Sequence, residues 1–114
     1  MIPSSYNLPD AYRGDTYDAI QFVFADDNGN PVILDGATAI SQVRNQRNGL
    51  VFQWSTEDNT IFISGNSLTF SAVDGPRMKI QAGTHNYDLQ INTSGIYDTF
   101  INGTWNIIQD ITDV

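Results

Sequence analysis

The residues of this chain that could do chemistry are few and scattered. Its single histidine, His85, is a candidate general base. It stands inside an alternating run with Tyr87 and Leu89, and nothing near it in sequence supplies a nucleophile or a second ligand. A satisfied strand histidine is the expectation. There is no cysteine, so neither a disulfide framework nor a nitrogen–sulfur metal site can be assembled. Asp26-Asp27-Asn28-Gly29-Asn30 offers oxygen ligands of the kind calcium takes. Without alternate spacing or a closing glutamate, it reads instead as an Asx-rich turn. Asp15, Asp18, Asp88 and Asp98 would have to converge across a sugar ring to hydrolyse a glycoside, and no sequence feature draws them together. Trp54 and Trp105 would stack on sugars if exposed, but both fall in step with the inward faces of their strands, which makes them core fillers. The expectation is a protein that is not an enzyme, with no cofactor and no metal.

Those residues hang on a chain whose pattern is β throughout. In residues 16–25, Ile20, Phe22 and Phe24 recur at period two on one face. The turn at 26–31 follows, then a short return over 32–34 closed by Asp35-Gly36. Residues 38–44 alternate again, with Ala39, Ser41 and Val43 on one face. Asn48-Gly49 signals a hairpin into a strand carrying Leu50, Phe52 and Trp54, and residues 60–64 and 67–70 pair around Gly65-Asn66. The pattern lapses over 71–81, where Asp74-Gly75-Pro76 breaks the chain and Met78 with Ile80 plugs the end of the core as a bent crossover. His85, Tyr87, Leu89 and Ile91 then share a long face. Thr93-Ser94-Gly95 turns the chain, 96–101 runs back, and Asn102-Gly103 is read as a bulge or kink before Trp105 and Ile107. Seven or eight amphipathic strands at short spacing predict an all-β, two-sheet antiparallel sandwich, with a small barrel as the alternative.

Composition bounds the function. A length of 114 residues suits one domain, and 40% hydrophobic with 11% aromatic residues suits a packed core rather than disorder. Thirteen acidic against five basic residues give a net charge of −8, which opposes nucleic-acid binding because phosphates need clustered Lys and Arg. The acidity serves solubility, or contact with a basic surface. No run reaches the length of a membrane helix, and residues 1–10 lack the basic start and apolar stretch of a signal peptide. The expectation is a chain folded in a cytoplasm, with no membrane partner.

Residues 1–14 form an extended N-terminal arm ahead of the sandwich domain at 15–114. The arm holds Pro3 and Pro9 among Tyr6, Leu8 and Tyr12, without strand-like alternation. Proline lowers the entropy lost on docking, and tyrosine and leucine are good contact residues. Tyr6, Leu8, Pro9 and Tyr12 are therefore the candidate partner contacts. The arm either lies on a neighbouring subunit or packs along its own sandwich.

One further pattern runs through these pieces. Tyr12-Arg13-Gly14-Asp15-Thr16 precedes the Phe-rich strand, and Asn28-Gly29-Asn30-Pro31-Val32-Ile33-Leu34-Asp35-Gly36-Ala37-Thr38 leads to a strand ending in Val43-Arg44. Ala82-Gly83, Tyr87-Asp88-Leu89-Gln90, Gly103-Thr104 and Asp110-Ile111-Thr112 follow in order. From Tyr12 to Thr112 the chain resembles the small immunoglobulin-like structural proteins of tailed bacteriophages, and is similar to the N-terminal domain of phage baseplate upper proteins. Family members often carry an aromatic residue in place of His85 and proline in place of Gln109, and both changes fit a strand. The sequence stops two residues after Thr112, which favours a stand-alone component over a receptor-bridging one.

The resemblance implies structural work with no catalytic residues. Gly14, Gly36, Gly83 and Gly103 would serve turns or close backbone approach, Asp15, Asp35 and Asp110 would satisfy turn amides, and Tyr87 with Leu89 would fill the core. It implies an accessory protein of the virion, assembled in the host cytoplasm and present in multiple copies. The partners would be other virion proteins, at the tail and baseplate or as a capsid decoration. A carbohydrate-binding module used in adsorption to a host surface is the reading from another class.

Overall fold

Period-two alternation becomes two faces, and those faces make two sheets. The computed structural model describes residues 4–109. Its strands are β1 (Ser4–Ser5), β2 (Ala11–Tyr12), β3 (Ile20–Val23), β4 (Thr38–Arg44), β5 (Leu50–Ser55), β6 (Ile61–Ser64), β7 (Ser67–Phe70), β8 (Gly83–Thr93) and β9 (Ile96–Ile108). Sheet I is six-stranded, in the order β1-β9-β8-β4-β5 with β2 also on β9; sheet II is three-stranded, in the order β3-β7-β6. The body strands β3 to β9 pair antiparallel. The fold is thus an all-β, two-sheet sandwich with an N-terminal arm, as the alternation requires, and the sheets do not join into a barrel.

The core fills from matched inward positions. Ala39, Ser41 and Val43 of β4 and His85, Tyr87, Leu89 and Ile91 of β8 are buried beneath Leu68 and Phe70 of β7. Trp54 and Trp105 are 1% and 0% exposed. Trp54 stacks on Phe70 with centroids 4.7 Å apart and lies 5.2 Å from Trp105, while its Nε1 donates to the Ser71 carbonyl at 3.1 Å. Neither indole can stack on a sugar from this position.

Three strands cannot cover the inner face of a sheet five strands wide, β1 and β2 lying end to end along β9. Irregular chain makes up the difference. The crossover at 71–82 contributes Val73, Met78 and Ile80, all buried. Asp74 bends it by accepting from the Arg77 amide at 3.1 Å and Nε at 3.0 Å, with a 3-10 turn at Gly75–Arg77. The hydrogen bonds from Arg77 hold the exposed Asp74 carboxyl below its ordinary range. Tyr17 covers Trp105 at 5.0 Å.

Two local expectations are corrected. The first long strand is shorter than residues 16–25: Tyr17 and Ala25 make only isolated bridges, to Val73 and Pro31, on either side of β3. Turn chemistry at both ends cuts the ladder. Asn102-Gly103 is no kink, because β9 runs unbroken through it. The register instead slips between Leu89 and Gln90, opposite Phe100.

Candidate docking surfaces

The arm lies on its own sandwich. β1 and β2 both pair parallel with β9, Ser4 opposite Ile101 and Ala11 opposite Ile107. Between them, the amides of Tyr6 and Leu8 donate to the Asn102 and Thr104 carbonyls, each at 2.9 Å. Two buried tyrosines clamp the arm from beneath: Tyr17 Oη donates to the Pro9 carbonyl at 2.6 Å, and Tyr87 Oη donates to the Tyr6 carbonyl. Burial pushes both phenols well above their ordinary pKa. Gly103 makes the approach possible, since a Cβ there would collide with the Tyr6 carbonyl.

Of the four candidate contact residues, Leu8 is 4% exposed and belongs to the chain's own core. Parallel pairing on either side of it turns its side chain inward, so it is not available to a partner in this arrangement. Tyr6 packs edge-on against Phe22 at 5.7 Å with part of its ring in solvent. Pro9 and Tyr12 are exposed.

The opposite flank is open. β5 ends sheet I and β6 ends sheet II, each with a neighbour on one side. A tight turn over 56–59 joins them, the Thr60 amide donating to the Ser55 carbonyl at 2.9 Å, so two unpaired strand edges meet at one side of the sandwich. Leu50 on β5 and Phe62 on β6 are exposed there. Sequence reasoning passed over Phe62, although the signal was present. Ile61-Phe62-Ile63 is an unbroken apolar run in a strand, and alternation must turn one of its members outward.

The chemical candidates do not converge. His85 is buried, with Nε2 2.6 Å from the Gln81 carbonyl oxygen. Asp26 Oδ1 accepts from the amides of Asn28 and Asn30, both at 2.9 Å, forming the Asx turn. The Asn30 amide is the main cause of that carboxyl's lowered pKa. Asp88 sits across from Asn102, and Asp98 across from Ile91, on opposite faces of sheet I. Asp35 Oδ1 accepts from the Gly65 amide at 3.0 Å. Asp110 lies outside the described residues. Among the described residues, no three His, Asp or Glu side chains cluster as a metal site.

The arrangement defines a class by its architecture: a β-sandwich with one sheet edge sealed by its own N-terminal arm and with β5, β6 and β3 each ending a sheet. No family model and no curated protein matches the sequence. Among solved structures, the chain is similar to CopC from Methylosinus trichosporium OB3b, at 9% sequence identity and a TM-score of 0.48, over 92% of this chain and 89% of that one.

Proposed function

We propose that this protein is a non-enzymatic structural component of a tailed-phage virion, docking to other virion subunits through the β5/β6 flank. The observation that carries the reading is the pair of unpaired strand edges bearing Leu50 and Phe62. An unpaired edge is a template for strand addition and an aggregation hazard when left bare. A partner strand laid on either edge would pair that strand's open backbone groups. Many copies on a symmetric lattice would make a modest interface sufficient. The resemblance running from Tyr12 to Thr112 supplies the tailed-phage context.

Cryo-EM of the particle carrying this protein tests the reading. Density repeating over the icosahedral shell identifies a decoration protein, and density at the tail, neck or baseplate identifies an adaptor. In either position the β5/β6 flank faces a neighbour. Absence from the particle defeats the proposal, and density in which this flank faces solvent defeats the assignment of the docking surface. Phe62→Asp leaves the isolated protein folded and lowers its occupancy in the particle.

A further inference from the structure

The outer face of sheet I is built from amides and hydroxyls. Toward one end its register lines up two transverse rows. Ser55, Ile40, Gln90 and Thr99 stand abreast across β5, β4, β8 and β9, and Thr38, Asn92 and Tyr97 form the next row. The turn after β5 brings up Thr56 and Glu57, with Thr56 Oγ1 accepting from the Ala39 amide at 3.1 Å. Between Tyr97 on the β9 side and Glu57 on the β5 side, the surface is hollowed into a groove of about 520 Å³. It crosses four strands, about 14 Å at ordinary interstrand spacing. Ile40 supplies an apolar patch along it.

Apart from the hydroxyls of Ser55 and Thr56, which bond to the Asp58 and Ala39 amides, most polar groups here are not used within the fold. Farther along the same face the side chains satisfy one another: Gln42 donates to Gln53 at 3.2 Å, and Arg44 donates to Gln42 at 2.8 Å. In the groove, Gln90, Thr38, Glu57 and the Tyr97 hydroxyl make no side-chain hydrogen bond to any described residue, and Asn92 uses its Oδ1 alone, for the Gly95 amide. Amide donors and hydroxyls therefore line the groove beside Tyr97, a residue 63% exposed, with a carboxylate at the far end. Charge narrows the occupant. The strands of this outer face carry one Arg44 and one Asp88, the groove adds Glu57, and the whole chain carries −8. An anionic ligand is repelled, and a cationic one meets a single carboxylate.

We propose that this groove binds a neutral oligosaccharide, one pyranose ring stacked on Tyr97 with its hydroxyls bonded to Gln90 and Asn92, and a linked ring reaching Glu57 at the β5 end. Such a ring presents an apolar C–H face and a rim of groups that both donate and accept. The groove offers the same combination: an aromatic plane and an apolar patch beside amides and a carboxylate. Its length takes two or three linked rings. The site is separate from the β5/β6 flank's exposed Phe62, and it does not depend on the virion reading.

The test is NMR titration of the 15N-labelled full chain with maltotriose, cellotriose and triacetylchitotriose as probes. At least one sugar is expected to shift the side-chain amides of Gln90 and Asn92 and the backbone amides around Tyr97. Tyr97→Ala should weaken that binding about tenfold or more. Tyr97→Phe, which keeps the ring, should hold it within about threefold, and Tyr12→Ala, at an exposed tyrosine elsewhere, should leave it unchanged. Phe62→Asp should also leave it unchanged, which separates this site from the docking flank. Failure of all three sugars to shift these resonances overturns the proposal. So do shifts elsewhere on the protein, or binding indifferent to Tyr97→Ala. A blocked neutral Thr-Val hexapeptide moving these resonances when no sugar does would assign the groove to extended peptide instead.

Discussion

Gly103 and the two clamping tyrosines decide whether the arm is part of the body. The Tyr6 carbonyl passes over Gly103 where no Cβ could stand, and the same carbonyl accepts from Tyr87 Oη. Gly103→Ala must therefore move either β9 or the arm. The expected cost is about 1–3 kcal/mol, the range for overpacking a close contact. Urea unfolding measures it, and faster proteolysis within residues 4–12 would show that the arm is what moved. The same contact has a pH signature. Burial raises both phenol pKa values above the ordinary 10.0, so folding favours the neutral hydroxyls. Their stabilisation is complete below pH 10.0 and declines as pH rises above it, because the unfolded tyrosines ionise first. Melting temperature should hold steady to about pH 9 and then fall. The Tyr17→Phe, Tyr87→Phe double variant should start lower and fall less steeply, and an unchanged slope would count against the clamp.

At the scale of elements, pairing predicts which backbone amides resist exchange. β8 is flanked by β9 and β4, whereas β5 and β6 each have one neighbour. Hydrogen exchange should be slowest through β8 and fast along the open edges. The Tyr6 and Leu8 amides, donated to β9, should be protected nearly as well as the body if the arm belongs to one cooperative unit. Much of this element map could be read from the chain. Alternation placed β4, β8 and the β6–β7 hairpin, and the lapse at 71–81 carried Met78 and Ile80 to the core as expected. The arm's strands could not be read, because a two-residue parallel pairing has no period. Its partner is set by Gly103 and the Tyr87 phenol, both far away in sequence, with the nearby Tyr17 phenol. The groove at Tyr97 was hidden for a related reason. Ser55, Ile40, Gln90, Asn92 and Tyr97 meet only through cross-strand register, which one strand's alternation does not encode.

For the molecule as a whole, the unequal sheets mean that irregular chain must act as core. Met78 lies in the bent crossover, Leu89 in the centre of β8, and both are fully buried. If three-stranded sheet II alone covered sheet I, truncating Met78 would cost little and truncating Leu89 would cost much. If the crossover substitutes for missing strands, the two sites are equivalent. Met78→Ala and Leu89→Ala should then each cost about 2–5 kcal/mol, the range for deleting a buried aliphatic side chain. That is a large share of the roughly 5–15 kcal/mol that holds a small domain together. Both variants should lower the urea midpoint without changing the slope of the transition, since the same surface is exposed on unfolding. A Met78→Ala midpoint near the parent value, beside a large loss for Leu89→Ala, would mean that the crossover is a cover over the core rather than part of it.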